Sequence, residues 1–204
     1  MFVRHMTKRI KRGIIKRGVD VTASLILLAA LTPLMLATAL AIICGSPGGA
    51  FFRQRRAGLQ GREFEVIKFR SMRPGPPGQG HATGVRDPRV TRLGGFLRRS
   101  SLDELPQLFN VLTGDMSLVG PRPLLLPSIR LDERIRLEMR PGITSLAAVS
   151  GRQSLTWDQR MELDRWYVEN WSLWLDLRIL GRTIPVALSQ ANVYDLDGEM
   201  KARS

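Results

Sequence analysis

The chain has 204 residues and a formal net charge of +13, from 31 lysines and arginines against 18 aspartates and glutamates. This excess favours an anionic partner, such as nucleic acid, an acidic membrane or a phosphorylated substrate. The single cysteine, Cys44, excludes an internal disulfide, and with two histidines it argues against a structural zinc site within one chain. Any metal is therefore predicted to be Mg²⁺, held by carboxylates and phosphates.

An uncharged apolar segment, ASLILLAALTPLMLATALAIIC, covers residues 23–44. As a helix it would be about 33 Å long, which is enough to enter or cross a membrane. Basic residues flank both of its ends, and this pattern favours keeping both ends in the cytoplasm. They are Arg4, Lys8, Arg9, Lys11, Arg12, Lys16 and Arg17 before the segment, and Arg53, Arg55 and Arg56 after it.

The dipeptide Thr32-Pro33 lies in the middle of this segment. Proline kinks a helix by removing a backbone hydrogen bond, and the Thr32 hydroxyl is expected to recapture a freed carbonyl. Each half would be about 15 Å long, roughly half of the hydrocarbon thickness. A re-entrant helix–break–helix fits both the proline and the flanking charges. A kinked spanning helix stays open at this point, because proline kinks also occur in true spans.

The following residues predict short elements. Residues 51–69 have the pattern of a β-hairpin with its turn at 58–61, and residues 74–84, PGPPGQGHATG, form a loop that is either a lid or a linker. A short basic helix is expected from about Thr91 to Arg99. Another helix is expected from Pro127, in its first turn, to about Met139.

The last part of the chain predicts a short strand within RPGITSLAAVSG and then a long helical region. A capping box at Thr156 opens that region, which runs to about Leu188 and is kinked or ended by Pro185. Its aromatic residues suit either a membrane interface or a protein core. They are Trp157, Trp166, Tyr167, Trp171 and Trp174.

Asp103 and Glu104 stand side by side in RRSSLDELPQLFNVL, residues 98–112. Helix capping explains the pair in one of two ways. Either Ser101 to Glu104 is a capping box, or Asp103 is the cap and Pro106 falls in the first turn. Capping does not explain the cations that a compact domain would bring near the pair. They are Lys68, Arg70, Arg73, Arg92, Arg98, Arg99 and Arg122.

These residue types together indicate phosphate chemistry. Arginine binds two phosphate oxygens with one planar group, and nearby cations are expected to keep Asp103 ionised. An ionised aspartate beside a polyphosphate and Mg²⁺ either ligates the metal or attacks phosphorus to form an acyl phosphate. The residues alone thus favour phosphoryl transfer at a membrane surface.

Five motifs resemble those of the bacterial sugar transferases, the monotopic phosphoglycosyl transferases, in their minimal form without an additional four-helix membrane domain. They are KRGVDV, FFRQRRAGLQGREFEVIKFRSM, DPRVTRLGGFLRRSSLDELPQLFNVLTGDMSLVGPRP, RPGIT and YVENWSLWLDLRIL, and they cover most of residues 16–182. The resemblance implies transfer of a sugar 1-phosphate from a UDP-sugar to polyprenyl phosphate, usually undecaprenyl phosphate. UMP would be released, and the lipid-linked sugar would begin a bacterial glycan such as an exopolysaccharide or lipopolysaccharide.

The resemblance also implies residue roles. Asp103 would be the nucleophile that carries the sugar phosphate, Glu104 its partner acid, and both would hold the Mg²⁺ cofactor. The predicted phosphate- or substrate-binding residues are Lys68, Arg70, Arg98, Arg99 and Arg122. The family's membrane helix is re-entrant with Ser-Pro at the break, where this chain has Thr32-Pro33. A further departure is SLAAVSGR at 145–152, which lacks a Trp, a Gln and an Asn that the family commonly carries there.

The predicted fold class is α+β. A mostly helical small domain with a short β-hairpin is combined with the re-entrant membrane helix and interfacial amphipathic helices. Residues 1–17 form a basic segment, 18–46 the membrane helix, 47–190 the cytoplasmic catalytic domain and 191–204 a tail. The protein is expected at the cytoplasmic face of the bacterial inner membrane, in contact with phospholipids and without nucleic acid.

Two alternative functions stay open. A membrane-tethered basic protein that binds nucleic acid or acidic lipid would lose binding steeply as salt rises. A lipid-diphosphate phosphatase would release inorganic phosphate, whereas a sugar-phosphate transferase would release UMP.

Overall fold

One long helix, α1 (Phe2–Gly45), opens the structure, a computed structural model that describes residues 2–73, 87–151 and 154–189. Its part Gly13–Gly45 is long and apolar enough to cross a membrane, judged by length and composition. The helix continues through Pro33. The Thr32 hydroxyl donates to the carbonyl of Leu28 at 2.6 Å. The predicted recapture is wrong, because the carbonyl that proline cannot engage is four residues before it, at Ala29.

The apolar part of α1 packs against the protein along one face, and its other faces expose apolar side chains. Buried residues recur along it at helical spacing and join the protein's main hydrophobic core through Leu28, Met35 and Ile42, which are 9%, 7% and 4% exposed. Leu36 and Leu40 on other faces are 66% and 63% exposed. A helix with this much bare apolar surface suits contact with lipid.

Polar residues before the apolar part dock α1 onto the rest of the protein. Lys16 forms a buried ion pair with Asp176 at 2.5 Å. Arg17 donates to the carbonyls of Val111 and Leu112, the latter at 2.8 Å. Asp20 accepts from the backbone N–H of Leu118 at 3.1 Å. The motif KRGVD is thus a docking motif as well as part of the basic flank.

The far end of α1 is attached to the same folded unit. Arg70 donates to the carbonyls of Ser46, Pro47 and Gly48, directly after the helix. Arg70 itself follows strand β2 (Glu63–Phe69), which packs against helix α3 (Gln107–Thr113). Since Arg17 also binds α3, both ends of the apolar part contact one folded domain.

The predicted β-hairpin is confirmed. Strand β1 (Phe51–Ala57) pairs antiparallel with β2, with Phe52 opposite Lys68 and Arg56 opposite Phe64. A short 3₁₀ turn, Leu59–Gly61, joins the strands, and Gly61 has φ of 77°, which favours glycine. This register places Arg56 and Lys68 on one face of the hairpin.

The middle of the chain contains short elements around α3. They are α2 (Arg92–Arg99), β3 (Ser117–Val119), β4 (Gly142–Thr144), α4 (Leu146–Ser150) and the 3₁₀ segments Leu102–Glu104, Leu126–Ser128 and Leu131–Glu138. The helix predicted from Pro127 to Met139 is therefore 3₁₀ rather than α. The three-residue period of 3₁₀ places Arg130, Glu133 and Arg136 on one face, where Glu133 and Arg136 are buried.

Two helices end the described chain, α5 (Trp157–Asn170) and α6 (Leu173–Ser189). The capping box at Thr156 is confirmed, but the long helical region is broken at Trp171 and Ser172, and Pro185 lies inside α6 without ending it. The aromatic residues divide between the two predicted roles. Tyr167 is 1% exposed, whereas Trp174 is 67% exposed.

The core is centred on α3 and confirms a mostly helical fold with small sheets. Val111 and Met116 are fully buried beside Val66 of β2. Asn110 joins α3 to β2, because its Oδ1 accepts from Ile67 N at 3.0 Å and its Nδ2 donates to Glu65 O at 2.7 Å. The predicted loop 74–84 lies outside the described residues.

Candidate active site

The carboxylate pair lies on a sharp turn between α2 and α3. Ser101, with φ of 57°, adopts a left-handed conformation and makes no side-chain capping bond to the 3₁₀ turn Leu102–Glu104. Pro106 is itself the cap residue of α3. Both capping explanations are therefore wrong. The side chains of Asp103 and Glu104 are not used to cap a helix and can interact with other residues.

Two predicted cations bind Glu104. Lys68 Nζ lies 2.6 Å from Glu104 Oε1, and Arg122 Nη2 lies 3.4 Å from the same oxygen. The lysine and glutamate side chains are 23% and 18% exposed, so this ion pair is largely shielded from water. Strand β2 positions Lys68, and the segment after β3 positions Arg122.

Asp103 has a different environment. Within the described part of the chain, no hydrogen bond or ion pair holds its carboxylate. Burial, and then the charge of Glu104, raise the pKa of Asp103 to about 6, against the opposing charges of Lys68, Arg98 and Arg122. Burial therefore opposes ionisation of Asp103 more strongly than the cations favour it. The carboxylate is nevertheless mostly ionised at pH 7.

The other predicted cations lie at different distances from the pair. Arg98 donates from Nε to the hydroxyl of Ser71 at 2.8 Å, and its charge acts on Asp103. Arg99 lies on the exposed side of α2. Arg70 binds the carbonyls after α1. A phosphate contact from Arg70 or Arg99 stays a prediction.

An open pocket with about 390 Å³ of space adjoins Glu104. The hairpin face, the start of α3 and the segments after β3 and at β4 form its walls. Its lining residues are Arg56, Val66, Lys68, Glu104, Gln107, Arg122, Pro123, Leu124, Gly142 and Ile143. Cations therefore outnumber acids on its wall, which suits an anionic ligand.

Two arginines near this pocket were missed in the sequence. Burial first, and then the charge of Arg122, lower the pKa of both Arg56 and Arg160. Mutually repelling guanidinium groups are typical of a site for a multiply charged anion. The strand register, which places Arg56 on the same hairpin face as Lys68, would have identified Arg56 as a residue of this site.

Buried residues hold the backbone of Arg122. Arg136 donates from Nη2 to the carbonyl of Arg122 at 2.7 Å and pairs with Asp164 at 2.7 Å. Both side chains of this pair are nearly inaccessible, at 3% and 4% exposed. Sequence reasoning did not identify this support, because the partners come from separate elements.

Mg²⁺ fits the donor set of the carboxylate pair. No group of three or more His, Cys, Asp or Glu side chains able to hold a metal occurs among residues 2–73, 87–151 and 154–189. Among these residues, Asp103 and Glu104 are the carboxylates at the turn. That incomplete oxygen set suits Mg²⁺, which commonly takes one or two carboxylates and completes its shell with phosphate oxygens and water.

Comparison with known proteins gives a consistent result. Residues 11–190 match the family model described as bacterial sugar transferase. The chain is 47% identical over 191 residues to a UDP-glucose:undecaprenyl-phosphate glucose-1-phosphate transferase of Caulobacter vibrioides, covering 88% of this chain and 72% of that relative. It is 45% identical over 177 residues to an uncharacterized sugar transferase of Bacillus subtilis, covering 84% and 86%.

Longer relatives match as well. An undecaprenyl-phosphate galactose phosphotransferase of Salmonella typhimurium is 38% identical over 209 residues, and the match covers 93% of this chain but 44% of that relative. The family match spans most of α1, the hairpin, the carboxylate turn and both C-terminal helices. This chain belongs to the bacterial sugar transferase family.

Proposed function

We propose that this transferase moves a sugar 1-phosphate from a UDP-sugar to undecaprenyl phosphate through a covalent intermediate on Asp103. The observation that carries the proposal is the asymmetry of the carboxylate pair. Lys68 and Arg122 hold Glu104, while Asp103 is left without a partner among the described residues. The names of the relatives support the same substrates.

The first step forms the intermediate. A carboxylate oxygen of Asp103 attacks the phosphorus that carries the sugar. The bond from that phosphorus to the bridging oxygen breaks, and UMP leaves with the electron pair. The product is an acyl phosphate between Asp103 and the sugar phosphate. A pKa of about 6 supports this role, because the carboxylate is ionised at neutral pH yet more basic than an ordinary aspartate.

The second step transfers the sugar phosphate. A phosphate oxygen of undecaprenyl phosphate attacks the same phosphorus, and the bond to the Asp103 oxygen breaks. The carboxylate is regenerated, and undecaprenyl diphosphate sugar is formed. We propose that this lipid product begins the assembly of a bacterial surface glycan.

The cations around the pair are assigned to charge neutralisation. Two anions repel each other, so attack by a carboxylate on a diphosphate requires fixed positive charge near phosphorus. Arg122, with a side chain 56% exposed, lines the pocket beside Lys68, and both contact Glu104. We assign Asp103 and Glu104 to hold Mg²⁺, which when bound would neutralise phosphate charge.

We further propose that α1 is a re-entrant anchor at the cytoplasmic face of the inner membrane. Its two ends contact one folded domain, through Arg17 with α3 and through Arg70 with the carbonyls after Gly45. A span would place these ends on opposite sides of the hydrocarbon, where one folded domain could not contact both. Exposed Trp174, Leu177 and Ile184 on α6 supply further surface for phospholipid contact.

Intact-mass measurement tests the covalent step. The purified chain is incubated with Mg²⁺ and a panel of UDP-sugars without acceptor, and a mass increase of one sugar phosphate is expected for the correct donor. Asp103→Asn should abolish both the adduct and turnover. Turnover by a deamidation-controlled Asn variant would contradict the assignment. Release of inorganic phosphate rather than UMP would favour the phosphatase.

A further inference from the structure

The side chain of Gln107 is buried at the pocket wall with an unused donor. Gln107 is the first residue of α3 and is 2% exposed, yet its amide Nε2 has no hydrogen-bond partner among the described residues. Leaving a buried amide donor unpaired is unfavourable, because the group has lost its bonds to water. Such a group in a pocket wall suggests a partner that arrives with a ligand.

Asn110, less than one turn later on α3, provides a direct comparison. It is 4% exposed, and both ends of its amide are used, by Ile67 N and by Glu65 O. Asn110 therefore has a structural role that accounts for its burial. Gln107 has the same chemistry on the same helix, but no described residue engages its Nε2.

The surroundings of Gln107 define the ligand chemistry. The pocket wall that it shares carries Lys68, Arg122 and Arg56, against the single acid Glu104. Arg56 lies toward the far end of the hairpin face, about 13 Å along the strand from Lys68, at about 3.3 Å per residue. An anion with oxygen acceptors fits this wall, and phosphate oxygens are acceptors only.

We propose that Gln107 is a substrate-binding residue whose side-chain amide donates a hydrogen bond to a phosphate oxygen in the pocket between Glu104 and Arg56. This inference rests on the proposed function for the identity of the substrates. The phosphate belongs either to the nucleotide of the donor or to the polyprenyl phosphate. The amide donates in the bound state and is unsatisfied in the free protein.

Two substitutions separate this role from a structural one. Gln107→Met keeps the size and removes the donor, so KM for one substrate should rise about tenfold while kcat changes little. Its melting temperature should be unchanged or higher, because an unsatisfied buried donor is gone. Gln107→Glu places a second carboxylate near Glu104 in a buried position, so it should repel phosphate and raise KM further, and its melting temperature should fall because burial opposes the new charge.

Asn110→Ala is the matched control. It should lower the melting temperature, because Ile67 N–H and Glu65 C=O lose their partner, and leave both KM values of the folded protein unchanged. A rise in the KM for UDP-sugar assigns the phosphate to the nucleotide, and a rise in the KM for undecaprenyl phosphate assigns it to the lipid. Unchanged KM values in both Gln107 variants would overturn the proposal.

A binding measurement keeps this test separate from the proposed reaction. Inorganic pyrophosphate should raise the melting temperature of the wild type more than that of Gln107→Met, whether or not an adduct forms. Equal stabilisation of the two proteins would count against Gln107. Failure of the wild type to form an adduct with any UDP-sugar would count against the covalent mechanism alone.

Discussion

The neighbouring carboxylates Asp103 and Glu104 differ in what holds them. Glu104 has two cations on one oxygen, whereas Asp103 is half-buried and its pKa is raised to about 6. The folded protein disfavours the ionised form of Asp103. Such a carboxylate is suited to form a covalent intermediate, because its bond to phosphorus removes the negative charge of the carboxylate. The same environment makes Asp103 unfavourable for stability.

Asp103→Asn should therefore stabilise the protein while it abolishes activity. A pKa raised in the folded state means that folding opposes the charged form, so the wild type loses stability as pH rises from about 4 to above 6. The full cost, on the order of 3 kcal/mol, is present at pH 7.5 and absent below about pH 4. Melting curves should show a higher melting temperature for the Asn variant than for the wild type at both pH 5 and pH 7.5, with the larger difference at pH 7.5. An equal gap at both values would contradict the raised pKa.

Arg122→Lys tests the planar group at the pocket. The variant keeps the charge but loses the two-pronged geometry, so kcat/KM should fall about tenfold or more, equivalent to about 1.4 kcal/mol. Arg130→Lys is the control, because Arg130 pairs with Asp132 and Glu133 away from the carboxylate turn. An unchanged kcat/KM in Arg122→Lys would place Arg122 outside the reaction.

Close packing of α2 against the chain after β2 sets the position of the carboxylate turn. A Cβ built on Gly94 would lie 1.9 Å from the carbonyl oxygen of Ser71. A Cβ on Gly95 would meet the flexible end of Arg99 at 3.3 Å and Cγ1 of Val90 at 4.0 Å. The side chain of Thr91 caps the same helix by accepting from Gly94 N at 2.9 Å. These contacts bring Arg98 to Ser71 and direct the chain into the turn at Ser101.

Gly94→Ala should displace α2 and Gly95→Ala should not. The first substitution pushes a methyl group into backbone, which cannot move aside, so a loss of about 3 kcal/mol of stability and reduced adduct formation are expected. The second should change stability by less than about 1 kcal/mol, in the stabilising direction, because alanine favours helix. Melting temperature and adduct yield measure both. Equal behaviour of the two variants would show that the contact with Ser71 is unimportant.

Local patterns were sufficient for some elements and insufficient for others. The hairpin, the cap at Thr156 and the helix after Thr91 are confirmed, because the signals for them lie within a few residues. The 3₁₀ form of Leu131–Glu138 was not predictable from propensity, since its partners, Trp157 and the buried Asp164, favour its three-residue period. Ser101 looked like a cap, but tertiary packing gives it a left-handed backbone.

At the scale of the whole molecule, the position of the site depends on contacts between distant parts of the chain. Lys68 was predicted to lie near Glu104, and the contact is confirmed. It could be predicted because both residues lie in recognisable motifs. Arg56 was missed, because its place beside the pocket requires the strand register. The pairing of Lys16 with Asp176 was also missed, since a basic flank alone explained the lysine.

Pro33→Leu tests the re-entrant topology. Leucine restores the backbone donor that proline lacks and gives an uninterrupted apolar helix of about 33 Å, enough to cross about 30 Å of hydrocarbon. Only partial conversion to a spanning form is expected, because the basic residues before Ile14 and the docking of Arg17 and Asp20 oppose it.

Cysteine labelling at positions 7 and 79, in a Cys44→Ser background, measures this conversion. The wild-type anchor should label at both positions from the cytoplasmic side only. Neutralising the basic residues and adding Asp20→Ala to Pro33→Leu should increase labelling of position 7 from outside. If all variants keep both positions inside, the proline does not set the topology. Outside labelling of position 7 in the wild type would establish a span.

The ion pair between Lys16 and Asp176 joins residues that are 160 positions apart. A ribosome therefore delivers α1 long before it delivers α6, so the proposed anchor emerges before its partners Tyr167, Trp171 and Asp176 have been synthesised. Docking of the anchor is consequently one of the last events in the maturation of this protein. Nascent chains that stop before α6 would remain membrane-bound with Lys16 uncompensated, so the ion pair distinguishes complete molecules from unfinished ones.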